Sequence, residues 1–190
     1  MATEETTDGD VRKVTPVGES LQMSYHICKP SRWTFKNDKI RRWLMQFVDG
    51  RTLNACAGKT ELEHPSVVRN DLNPDRSADT HNDVVEIADY FDSASFDTII
   101  YDPPFSDYQS EDKYDGLHIS SAEDRAKVKR QFHDLLKPAG RVIQFGYTTT
   151  CMPGELGYSR EAVAIFNTLG MMHDVLGTVD RRLNGDVRSF

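Results

Sequence analysis

Asp102, Pro103, Pro104 and Phe105 put a carboxylate, two pyrrolidine rings and an aromatic side chain into four consecutive positions. Two adjacent prolines fix two φ angles and remove two backbone donors. They also hold the residue before them extended. The preceding run, Phe96–Tyr101, is apolar and β-branched enough to make a buried strand. The corner thus presents a hydrogen-bond acceptor on one side and a flat ring on the other. It does so at the carboxyl end of a strand, where open α/β sheets bind ligands. The same residues also read as an acidic turn stopped by prolines, so the surrounding elements have to decide between the two.

Upstream, residues 52–56 read as a short strand entering Ala55-Cys56-Ala57-Gly58-Lys59-Thr60. Gly58-Lys59-Thr60 ends like a phosphate-binding loop, but that motif needs a glycine five residues before the Gly-Lys pair, and Leu53 stands there. Residues 61–65 also leave too little chain for the helix whose N-terminus would face phosphates. Residues 66–70 form a second strand ending at Asp71, residues 78–81 a minimal third one, and Asp83 caps a short helix with Val84, Ile87, Ala88 and Phe91 on one face.

The chain has 190 residues, 38% of them hydrophobic, which suits one domain with a full core. Residues 1–20 read as a disordered acidic tail and residues 21–190 as a single domain. No secretory signal or membrane-spanning run is apparent. Cys28, Cys56 and Cys151 make neither a zinc pattern nor a disulfide framework, so a reducing cytoplasm is expected. His26 and Cys28 lack a second pair to complete a metal site, and no metal is expected. The net charge of −7 argues against binding nucleic acid by bulk electrostatics. Twenty aspartates against ten glutamates, and 14 arginines against nine lysines, would suit a salt-rich cytoplasm.

The remaining elements follow in order. Residues 21–28 read as a short strand or a connection. Asn37 caps a helix with Ile40, Trp43, Leu44, Phe47 and Val48 on one stripe. Around it lie Lys29, Arg32, Lys36, Lys39, Arg41 and Arg42, either a nucleic-acid footprint or a solvated face. Residues 106–120 read as a polar substrate lid carrying Tyr108 and Tyr114. Ser121 opens a helix with Val128, Phe132, Leu135 and Leu136 inward, which passes into a fifth strand. Residues 159–169 are expected to be helical, with Ala162, Phe166 and Leu169 inward. Residues 173–182 are expected to be a strand, with a hairpin turn at Asn184-Gly185 and a return strand over 186–190.

Asp102-Pro103-Pro104-Phe105 on such a strand resembles the catalytic motif of the S-adenosylmethionine-dependent amino-methyltransferases, Asp/Asn/Ser-Pro-Pro-aromatic. The cofactor loop of that family is similar to residues 53–60. Asn54 takes the acidic position, Ala57-Gly58 the Ala-Gly, Cys56 the aromatic and Thr60 the final glycine. Lys29-Pro30 with its helix resembles the family's flanking motif, and Leu136-Lys137-Pro138 its Lys-Pro-Gly-Gly helix end. The resemblance implies a Rossmann-like class I methyltransferase fold: a mostly parallel seven-stranded sheet between helices, closed by a C-terminal antiparallel hairpin. It implies S-adenosyl-L-methionine as cofactor, with Asn54, Ala57 and Gly58 in its loop. Asp71 would hold the ribose hydroxyls, or else be a turn acid before Asn73-Pro74. Asp83 would hold the adenine amino group, or be a plain cap.

The implied reaction is methylation of an exocyclic amine on a nucleic-acid base. Asp102 and a backbone carbonyl of the proline corner would accept from the amine and localise its lone pair, and Phe105 would stack on the base. N6 of adenine in DNA is the leading acceptor. A guanine-N2 methyltransferase of ribosomal RNA is the rival, since small enzymes of that branch share the motif. Protein-glutamine methyltransferases carry Asn-Pro-Pro-Tyr, so Asp102 counts against them. A catalytically inactive nucleotide-binding module is the reading from a different class.

Overall fold

The structure is a computed structural model, and it describes residues 21–105 and 121–184. The lid segment 106–120, the acidic tail 1–20 and the expected return strand 186–190 lie outside the described residues. Seven strands form one sheet: β1 (Gln22–Ile27), β2 (Thr52–Asn54), β3 (Val67–Arg69), β4 (Phe96–Tyr101), β5 (Leu136–Gly146), β6 (Tyr158–Asn167) and β7 (Val175–Arg182). Their spatial order is β1-β6-β7-β5-β4-β2-β3. All neighbours pair in parallel except β5 with β7 and β6 with β7.

Among the described residues, two helices and three 3-10 segments accompany the sheet, the third of them Gly154–Leu156. On one face sit the turn Thr34–Lys36 and helix α1 (Asp38–Leu44). Asn37 caps α1, its side chain accepting from the amides of Lys39 and Ile40. Ile40, Trp43, Leu44 and Phe47 pack on Ile143, Phe145, Ala164, Phe166 and Val179 of the central strands. Gly177 is required there, because a Cβ would lie 2.6 Å from the Trp43 ring. On the other face, Val84–Tyr90 and helix α2 (Ala122–Leu135) pack Val84, Ile87, Val128, Phe132 and Leu135 over Leu53, Phe96, Ile99 and Val142. Ser121 caps α2 by accepting from the amide of Asp124.

The mostly parallel seven-stranded sheet closed by an antiparallel pair is the expected architecture, reached by a different assignment of strands. Residues 159–169 are not a helix. Ala162 and Phe166 lie inward as expected, but their spacing of four fits both one helical turn and two strand repeats. The intervening Ala164 is also buried while Val163 and Ile165 face the other side, which is the strand period. An antiparallel pair is therefore β6–β7, turning at 168–174, while the expected turn at Asn184-Gly185 runs outside the described residues. The expected third strand over 78–81 shrinks to one bridge between Asn70 and Thr80. β1, pairing in parallel with β6, supplies the seventh strand instead. The segment after Asp83 is 3-10 rather than α, broken at Glu86.

Candidate functional site

The carboxyl ends of β2, β4 and β5 lie side by side: Asn54 pairs with Ile100, and Tyr101 with Gln144. The β6–β7 turn sits on the same edge, because Gly146 at the end of β5 pairs with Leu176 at the start of β7. The residues that follow these strand ends build two adjoining pockets.

The larger is a cleft of about 450 Å³, the size of a small-molecule site. Ala57, Gly58, Asp71, Asp83, Asp102 and Pro103 all line it. Gly58 has φ +58°, and the place where its Cβ would stand is empty. That conformation favours glycine and leaves the loop backbone open to the cleft. Asp71 is buried and clamps the loop, its Oδ2 accepting from the Gly58 amide at 2.7 Å and its Oδ1 from the Asn73 amide at 3.0 Å. Asp83 caps its 3-10 segment by accepting from the Val85 amide at 2.9 Å, and it also lines the cleft. Of the two readings of Asp83 the cap is the one the hydrogen bond shows.

Asn54 is fully buried at the end of β2, outside the cleft wall, and both polar atoms of its side chain lack a partner among the described residues. The side chain that holds the loops together is one that sequence reasoning passed over. Buried Asn70 donates to the carbonyls of Ala55 and Asn82, and its oxygen accepts from the Thr80 hydroxyl and the Asn82 amide. It ties the glycine loop to the turn carrying Asp83.

Among the described residues, Asp71, Asp83, Glu86, Asp102 and Asp124 line the cleft, against Lys59. Such a lining favours a cationic ligand and disfavours a nucleoside triphosphate. Cys56, in the floor, feels the same field: burial first, then Asp71, Asp102 and Asp83, push its thiol pKa well up. At the mouth, the Trp33 ring lies 5.6 Å from the Lys59 ammonium and 5.7 Å from the Arg32 guanidinium.

Asp102, Pro103 and Thr34 form a wall shared with a second, smaller pocket of about 60 Å³. Its other side holds Phe105, Tyr147, His173, Lys29 and Arg32. The Phe105 and Tyr147 rings meet edge-on at 4.9 Å, and Tyr147 and His173 lie 4.8 Å apart. Thr34 donates to Asp102 Oδ1 at 3.3 Å. Burial pushes the Asp102 carboxyl up to about 7, with the Thr34 hydrogen bond acting the other way.

Tyr147 and His173 were not foreseen from sequence. Tyr147 had a usable signal, since it follows directly on a carboxyl strand end, as Asp102 does. The basic cluster is divided. Lys39 and Arg42 donate to main-chain carbonyls, and Arg41 also pairs with Asp38, whereas Lys29 and Arg32 reach the second pocket. His26 stacks on Phe166, and Cys28 is buried in the core while also lining the second pocket. Among the described residues no three metal-ligating side chains come together.

No family model and no curated protein matches the chain in sequence. Solved structures do match in shape. TrmN from Thermus thermophilus aligns with a TM-score of 0.54 at 15% identity, over 77% of this chain and 49% of its own. The chain thus spans about half of TrmN. The 1,6-didemethyltoxoflavin-N1-methyltransferase of Burkholderia thailandensis, solved with bound 1,6-didemethyltoxoflavin and S-adenosylhomocysteine, aligns at 0.53 and 13% identity over 77% and 76%. A candidate rRNA methylase from Clostridium thermocellum aligns at 0.52 and 10% identity, over 75% and 95%.

The fold is that of the class I methyltransferases. Within this methyltransferase fold, the acid-lined cleft and the aromatic pocket sit at the carboxyl edge of the sheet and meet at Asp102.

Proposed function

We propose that the protein is an S-adenosyl-L-methionine-dependent methyltransferase acting on an exocyclic amine of a nucleic-acid base, with N6 of adenine in DNA as the leading acceptor. The observation that carries this is the shared wall: Asp102-Pro103 borders a cleft suited to a cation and a pocket lined with flat rings.

The residues present fit the cofactor. The open backbone at Gly58 and the ring of carboxylates suit a ligand carrying a sulfonium and an ammonium. Asp71 would take the ribose hydroxyls and Asp83 the adenine amino group. Leu72, Val84 and Val85 offer apolar contact at the same end. When bound, S-adenosylmethionine supplies an activated methyl group. Fold neighbours described as a methyltransferase and a methylase, the first of them holding S-adenosylhomocysteine, support this reading.

The chain's own residues prepare the acceptor. An exocyclic amine is a weak nucleophile because its lone pair is delocalised into the ring. Asp102 accepts one N–H, and a carbonyl of the proline corner accepts the other. Two fixed acceptors favour the pyramidal nitrogen that attack requires. Phe105 and Tyr147 hold the ring, so that positioning supplies much of the acceleration. The candidate rRNA methylase among the neighbours keeps an RNA base, including guanine N2, as the second reading.

Labelled methyl transfer to DNA, RNA and protein in parallel, followed by digestion to nucleosides, tests the proposal. Label in N6-methyladenine supports it. Label in N2-methylguanine moves it to RNA, and label in protein alone overturns it. Absence of calorimetric binding to S-adenosylmethionine would leave the inactive binding module.

A further inference from the structure

The β6–β7 turn exposes more apolar surface than a solvated loop needs. Leu169 is 62% exposed and Met171 63%, with Met172 beside them at 44%. The turn is nevertheless tightly held. Asp174 accepts from the Asn167 side chain at 3.0 Å and from the Thr168 amide at 3.2 Å, and Thr168 exchanges hydrogen bonds with Met172. Leu169 has φ +57°, a left-handed conformation that costs a branched L-residue strain. It is the only large side chain in that conformation among the described residues, the others being Ala94 and Ala139. A rigid, strained turn that holds two large apolar side chains in water is a feature to be explained.

Its position supplies the explanation. Thr168, Met172 and His173 line the aromatic pocket, so the tip stands on the pocket's rim. Lys29 and Arg32 stand on the same pocket as cations suited to phosphates. Resting on the function proposed above, we propose that Leu169 and Met171 form a wedge. It enters a base stack and fills the gap left when the target base swings out of the stack toward the Asp102 corner. Apolar side chains inserted between base steps are a known means of unstacking a duplex, and a base inside a helix cannot otherwise reach a recessed amine-binding corner. The ligand chemistry is a stacked, paired strand, from either DNA or RNA.

The test compares wild type with Leu169→Gly and Leu169→Ser/Met171→Ser, on a DNA duplex, an RNA hairpin and the matching single strands. The glycine variant relieves the left-handed strain, so its melting temperature should equal or exceed that of wild type. The expected result is a loss of about tenfold or more in methyl transfer to whichever paired substrate wild type modifies, the loss matching an unstacking cost of at least 1.4 kcal/mol. Transfer to the single strand should stay within about twofold. The fluorescence rise of 2-aminopurine at the target position should vanish in the variants.

Equal losses on paired and single strands, or no loss on either, would overturn the wedge. So would a shift from dimer to monomer in the variants with duplex transfer intact, which would assign the tip to a second copy. A wild type that is inert on every nucleic acid overturns the proposed function and the wedge together. An active wild type whose tip variants are indistinguishable from it overturns the wedge alone.

Discussion

At the residue scale the account turns on the Asp102 carboxyl, held near pH 7 by burial. Only the ionised form accepts freely from an amine, so turnover should rise with pH through about 7. Thr34→Val removes the hydrogen bond that favours the charged form. The midpoint of the pH–rate profile should move upward, with turnover at pH 7 falling several-fold and recovering at pH 9, and Thr34→Ser should restore it. A purely structural role for Thr34 would leave the midpoint in place. The raised value also has a stability consequence. Between the unfolded value near 3.9 and about 7, the folded state keeps a proton that the unfolded chain has lost. Stability contributed by this group therefore falls as pH rises through that window and stays reduced above it. Asp102→Asn should raise the melting temperature at pH 8 and leave it unchanged below pH 4. The gain is at most about 4 kcal/mol, reduced by whatever cleft water reaches the carboxylate.

At the element scale, the loops of the site are held by buried polar side chains. Asn70 makes four hydrogen bonds that join the glycine loop to the turn of Asp83. Asn70→Ala should destabilise by about 2–4 kcal/mol, by leaving several buried groups unpaired. It should also weaken cofactor binding measured by calorimetry. On the far side, Asp180 is almost wholly buried. It pairs with Arg160 and accepts from the Met152 amide, while Arg160 also holds the Thr150 carbonyl. These bonds anchor the loop that carries Tyr147. Asp180→Ala leaves the part-buried Arg160 guanidinium and the buried Met152 amide without their acceptor and should cost about 2–3 kcal/mol in denaturant unfolding.

What was legible in the sequence follows from how local each signal is. The Asp102 corner, the Gly58 turn, the Asn37, Asp83 and Ser121 caps and strand β4 are written in neighbouring residues, and all lie where local chemistry places them. β6 was misread because Ala162 and Phe166 satisfy two periods at once. The pairing of β1 with β6, the loop-tying role of Asn70 and the meeting of Phe105, Tyr147 and His173 depend on segments far apart in the chain. No local pattern encodes them.

At the scale of the whole molecule, charge is partitioned rather than uniform. The chain carries −7, the larger cleft is lined by acids, and Lys29 and Arg32 stand at the aromatic pocket. Nucleic-acid binding should therefore depend weakly on salt, with a log–log slope of about −2 expected for two phosphate contacts. Fluorescence anisotropy across a salt series measures it, and a slope steeper than about −6 would mean a footprint these two cations cannot supply. The acidic cleft also couples cofactor charge to protons. A sulfonium held in the cleft that Asp102 lines would favour the ionised form of that carboxyl. Binding of S-adenosylmethionine near pH 7 should thus release a fraction of a proton, while uncharged-sulfur S-adenosylhomocysteine should release less. Calorimetry in buffers of different ionisation enthalpy separates the two.

The most direct measurement is methyl transfer by Asp102→Ala beside wild type, on whichever nucleic acid wild type modifies, with cofactor affinity determined on both proteins. Turnover lost by about 10³-fold or more, the scale expected for removing a principal stabilising group, with cofactor affinity nearly unchanged is the expected result. Wild-type turnover in the variant would contradict it, because the amine would then be activated without the carboxylate at the shared wall.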